Sequence, residues 1–116
     1  MNPKRYLLLR RKEVVAQLPP MTEVVRGSLI QRRLVCGKPN CRCAKGQRHR
    51  VWYLTVSFAR GRTEQVTVPE ELVPEVERWL SNYERWWYGL EEISGINREL
   101  LRKRWVGRSQ KKKRKR

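Results

Sequence analysis

The chain has 116 residues, with 28 Lys or Arg against 11 Glu and no Asp, a formal net charge of +17. That length fits one domain with extensions, and the charge calls for polyanionic partners without specifying a fold. No apolar run approaches the ~18 residues of a membrane span, and Tyr6-Leu7-Leu8-Leu9 is too short for a secretory signal, so a cytoplasmic protein with no membrane partner is expected.

Residues 4–18 read as a short basic helix, with Leu7, Leu8, Val14, Val15 and Leu18 toward one side and Lys4, Arg5, Arg10, Arg11 and Lys12 elsewhere. Pro19-Pro20 ends it, because proline lacks the amide a helix needs. These first 20 residues form one expected segment. The second, residues 21–105, carries the sheet, the cysteines and a long helix. The third, residues 106–116, is a basic tail.

Within the second segment, residues 28–35 (SLIQRRLV) form the first expected strand. Residues 51–58 (VWYLTVSF) are β-branched and aromatic throughout, the clearest strand signal of the chain. Ala59-Arg60-Gly61-Arg62 is a turn, with Gly61 available for positive φ. Residues 63–68 (TEQVTV) return as the partner strand, and Pro69 stops it. The expected architecture is α+β: a three-stranded antiparallel sheet packed on a long C-terminal helix, plus the short N-terminal helix.

Between the first two strands lies the stretch with the most chemistry. All three cysteines and the only histidine fall in Cys36, Cys41, Cys43 and His49, spaced C-x4-C-x-C-x5-H. Three thiolates and one imidazole are a tetrahedral donor set that suits Zn²⁺. Gly37, Pro39 and Gly46 supply the turns that would bring both ends of so short a segment around one ion. The expectation is a small zinc knuckle between strands 1 and 2. Free or redox-active thiols, and another metal or cluster, are the alternatives; the odd cysteine count argues against a disulfide framework. Structural zinc is worth ~10–16 kcal/mol in finger peptides, a large contribution beside so small a core.

Charge is segregated. From Val24 through Thr63 there is no acid, while Arg26, Arg32, Arg33, Lys38, Arg42, Lys45, Arg48, Arg50, Arg60 and Arg62 contribute ten positive charges. A solvated surface normally mixes both signs. An acid-free basic stretch carrying Trp52, Tyr53 and Phe58 reads as a nucleic-acid face, although each aromatic also suits a sheet core. Arginine dominates, and its planar fork matches phosphate and guanine.

Eight of the eleven acids follow in residues 70–105, beginning where proline and glutamate favour a helix N-terminus. The helix is expected from about Pro74 to Trp105. Val76, Trp79, Tyr83, Trp86, Leu90, Ile93, Asn97 and Leu100 alternate in steps of three and four as a heptad seam. The seam fits intramolecular packing, a second copy or a larger protein docked along residues 74–105, so monomer and homodimer both stay open. Gly89 and Gly95 mark a close approach or a bend. Lys111, Lys112, Lys113, Arg114, Lys115 and Arg116 close the chain as a tail expected to be disordered and to grip nucleic acid through counterion release.

Arg26-Gly-Ser-Leu29, Cys36-Gly-Lys-Pro-Asn-Cys41-Arg-Cys43-Ala, His49, Tyr53-Leu54, Val66-Thr-Val-Pro69-Glu-Glu-Leu-Val73 and Ile96-Asn-Arg-Glu-Leu-Leu101 together resemble a family of small uncharacterised prokaryotic proteins. That family carries a CGKPxCxCA core and a long C-terminal helix, and is itself a domain of unknown function. The resemblance covers about residues 22–103, with the N-terminal helix and the tail outside it. Its association with mobile elements and transposases implies an accessory role in handling DNA.

The function expected from these features is a zinc-stabilised, basic nucleic-acid-binding module, with DNA favoured over RNA. The alternative is a docking subunit that rides on a larger machine through its long helix, without nucleic-acid specificity of its own. An enzyme is not expected: there is no Asp, the one His is a metal ligand in this reading, and the glutamates are scattered. A redox role for Cys41-Arg-Cys43 would need a thiol activated by its cationic neighbours.

Overall fold

The structure, a computed structural model, describes residues 2–34 and 49–106. Two helices and three strands follow in the order α1 (Pro3–Ala16), β1 (Ser28–Leu34), β2 (His49–Ser57), β3 (Thr63–Val68) and α2 (Val73–Arg102), an α+β chain. The described residues form two compact units, one of residues 20–84 and one built from the ends of the chain, so that the expected 21–105 segment is divided after Glu84.

In the first unit, β1, β2 and β3 form an antiparallel sheet in that order. Leu29 pairs with Leu54, and Leu54 in turn with Val66. Side chains alternate across a strand, so Leu29, Trp52, Leu54, Val56 and Val68 share one face. Leu54, Val56, Val68 and Val73 are buried there, with Val76 and Leu80 from the first turns of α2 laid against them. Three links tie the chain before β1 to α2: Val25 N donates to Trp79 O at 3.2 Å, Arg78 to Glu23 at 2.7 Å, and the buried Asn82 Nδ2 to Glu23 O at 2.9 Å.

Gly27 lies where the chain turns into β1. Its φ of 144° is one that side chains avoid, and a Cβ would sit 2.8 Å from the Thr55 carbonyl oxygen. At the same end of the sheet, a 3-10 turn over Ala59–Gly61 closes the hairpin from β2 to β3. Gly61 takes positive φ as expected, and so does Arg60 (73° and 64°). β3 has the expected bounds, whereas β1 ends at Leu34 and β2 begins at His49.

In the second unit, α1 lies along the C-terminal part of α2. Asn2 Oδ1 caps α1 by accepting from Arg5 N at 2.7 Å, with Pro3 beside it at the first turn. Val14, Ile96 and Leu100 are buried. Two of the five apolar residues expected on the inner side of α1 lie outward, Leu8 (37% exposed) and Val15 (56% exposed). The heptad seam of α2 needs one correction too: Leu90 is 55% exposed. Gly89 takes the inner place, where a Cβ would lie 2.7 Å from Leu18 Cδ2. The close approach falls at Gly89 because the helix repeats at 3.6 residues and a 3.5-residue seam drifts around it.

Helix α2 ends at Arg102 rather than Trp105. Arg104 adopts φ 58°, its N–H bonds to Leu101 O at 3.0 Å, and that of Trp105 to Leu100 O at 2.9 Å. This is the Schellman stop usually written with glycine at the left-handed position. With arginine there, nothing in the sequence marks it. No helix among the described residues is long and apolar enough to cross a membrane.

Candidate nucleic-acid interface

The described basic residues of the acid-free stretch gather at the two ends of the sheet. At the hairpin end, Arg26 Nη1 donates to Ser57 O at 3.0 Å, and Arg26 and Arg62 both lie over the Phe58 ring, at 5.3 and 4.3 Å from its centroid. A ring face attracts cations, so Phe58 holds two guanidinium groups near one place and Arg60 stands beside them on the turn. At the opposite end, Arg32 lies 5.6 Å from the Tyr53 centroid, and Arg33 is paired across the strands with Arg50. Like charges directly opposite on an antiparallel pair repel. The seven residue steps from Arg50 to Ser57 put the two ends roughly 23 Å apart along β2.

The face of the sheet turned from the core carries Ser28, Ile30, Arg32, Val51, Tyr53, Thr55, Thr63, Gln65 and Thr67, as the register requires. The hydroxyl and amide groups of Ser28, Thr63, Gln65 and Thr67 there are phosphate donors of the ordinary kind, whereas Thr55 Oγ1 is buried. The only acid in the three strands, Glu64, pairs with Val56 and belongs to the core side. Trp52 and Phe58 pack against the core, which leaves Tyr53 as the aromatic on the outer face.

Elsewhere three arginines meet carboxylates. Arg10 pairs with Glu92 at 2.6 Å and with Glu13 at 3.5 Å; Arg78 pairs with Glu23 and Glu75; Arg102 pairs with Glu99. Hydrogen bonding to Glu92 holds Arg10 above its ordinary pKa, and bonding to Glu23 does the same for Arg78. Among the described residues, Arg32, Arg33, Arg50, Arg60 and Arg62 enter no ion pair of this kind.

Cys36, Cys41 and Cys43, with Lys38, Arg42, Lys45 and Arg48, lie outside the described residues, as do Lys111, Lys112, Lys113, Arg114, Lys115 and Arg116. His49, the fourth expected ligand, is the first residue of β2 and pairs with Leu34. The two residues that border the 35–48 segment are therefore held opposite one another. Among the described residues, no group of three His, Cys or Glu side chains is placed to hold a metal. The Arg33–Arg50 pairing and the two cations on Phe58 are not legible in the sequence, because both depend on strand register and on where the hairpin turns.

A family model described as "Domain of unknown function (DUF6788)" matches residues 5–78. The match takes in most of α1, which the resemblance had placed outside, and stops before Ile96–Leu101. No curated protein and no solved structure matches the chain.

Proposed function

This chain belongs to the DUF6788 family, and from that premise we propose that it is a zinc-stabilised nucleic-acid-binding module, an accessory of a nucleoprotein or mobile-element system that binds without catalysis. The observation that carries the reading is the set of sheet arginines with no carboxylate beside them, above all Arg33 set against Arg50. A fold that keeps two guanidinium groups opposite each other is best relieved by an anion between or above them. The register puts Arg33 and Arg50 on the core side of the sheet, beyond Trp52, and Arg32 on the outer face beside them, so phosphates would meet the sheet around this end. Such contacts fix position rather than sequence. DNA is favoured over RNA because of the mobile-element resemblance.

Zinc enters through the donor set. His49 is the strand partner of Leu34, and Cys36 follows Leu34 by two positions in the sequence. Cys41 and Cys43 would complete four-coordination. The metal would close the loop and hold Lys38, Arg42, Lys45 and Arg48 as an extension of the basic end of the sheet.

The test is fluorescence anisotropy with labelled duplex DNA, single-stranded DNA and RNA across a salt series. A protein making 6–10 phosphate contacts loses about 10³–10⁵ in affinity between about 50 and 200 mM salt. A fall of that steepness is the expected result. Absence of binding at the low-salt end, or binding indifferent to salt, would overturn the proposal.

A further inference from the structure

The two-helix unit leaves much apolar surface in water. Among the described residues, nine of the thirteen exposed large hydrophobic side chains belong to it. Two helices laid side by side bury one stripe each, and the usual remedy is a further helical layer. On α2 the exposed residues have a pattern. Trp87, Leu90 and Leu101 are 53%, 55% and 64% exposed, and with Ser94 their spacings are three, four and seven residues. That is a heptad stripe. It is distinct from the inner one through Gly89, Ile93, Ile96 and Leu100, which α1 covers.

We propose that this stripe is the homodimer interface, on which a second copy of the chain lays its own α2 antiparallel, crossing at Ser94–Gly95. The flanking charges select that occupant. Glu91 and Arg98 stand one heptad apart on the same flank of the stripe. Neither has an ion-pair partner among the described residues. Arg98 instead donates to Ser94 Oγ at 2.8 Å, which lays its guanidinium along the stripe. Glu91 and Arg98 lie equally far from the Ser94–Gly95 midpoint, on opposite sides of it. A two-fold axis there brings each Glu91 against the other copy's Arg98, whereas a parallel copy puts these flanks on opposite sides of the interface and leaves both charges unmatched. The same operation brings each exposed Trp87 within one residue of the other copy's Leu101. Small residues at the crossing let the axes approach closely. The patch is self-complementary, as an isologous interface must be. Nothing in this inference depends on nucleic-acid binding.

Sedimentation equilibrium of the full chain, freed of nucleic acid, reads the association, and circular dichroism checks that each variant keeps its helices. Wild type is expected to dimerise reversibly and Leu90→Glu to be monomeric. Glu91→Arg and Arg98→Glu each set two like-charged pairs in the interface, and each is expected to weaken the dimer by about tenfold or more. The discriminating step mixes these two variants. The mixed dimer restores both opposite pairs, so heterodimers are expected to form at wild-type affinity. A wild type that is monomeric at every concentration, or a mixture no tighter than its components, overturns the proposal; the first result would assign the stripe to a different protein.

Discussion

The sheet unit and the helical unit differ in how they match arginine with carboxylate, although Arg5, Arg85, Arg98 and Arg104 of the helical unit also have no such partner among the described residues. In the helical unit, Arg10 and Arg102 each find a glutamate, and Arg11 donates to Asn97 Oδ1 at 2.7 Å. Among the described residues of the sheet unit only Arg78, on the first turns of α2, is matched with carboxylates; the strands set Arg33 against Arg50 and draw Arg26 and Arg62 onto one ring. Charge that is neutralised within the fold contributes to packing. Charge left without a counterion is held ready for an anion from outside. A net charge of +17 would not by itself distinguish these uses.

Chelating the proposed zinc should break the comparison most severely. Hydrogen exchange before and after chelation is expected to show lost protection in β1 and β2 and retained protection in the C-terminal half of α2. Structural zinc contributes ~10–16 kcal/mol in finger peptides, so this is the largest effect anticipated. Equal protection in both units with and without chelator would remove zinc from the account. A smaller effect, confined to the sheet unit, is expected of Gly27→Ala. The new Cβ meets the Thr55 carbonyl oxygen at 2.8 Å with φ at 144°, and the backbone must shift at a cost of about 2–3 kcal/mol. Chemical denaturation measures this; an unchanged midpoint would show that the entry to β1 is looser than described.

The sheet was legible from the sequence because its signals were local: a β-branched run, a turn with Gly61, and Pro69 after the last strand. The long helix was legible from its period. Leu90 was misplaced because a seven-residue seam and a 3.6-residue helix separate over several turns, and Leu90 lies where they have drifted apart. Val15 and Leu8 were misplaced because α1 is nearly as apolar on its outer side as on its inner one. The helix stop at Arg104 needed a left-handed arginine that no local rule favours. As for the site, the sequence showed which residues are basic. It did not show that Arg33 faces Arg50, because a one-residue change of register would place Arg33 beside a different neighbour.

The comparison of Arg33→Gln with Arg102→Gln tests the central claim most directly, since both remove one charge and leave the same net charge. Measured by anisotropy on one labelled duplex at about 0.1 M salt, Arg33→Gln is expected to lose roughly tenfold in affinity, one phosphate contact's worth. Its unfolding free energy should rise by about 0.2–1 kcal/mol as the like-charge pair is relieved. Arg102→Gln, whose charge Glu99 already meets, should bind as wild type does. Equal losses from the two variants would show that net charge alone drives binding and that the sheet has no special part in it.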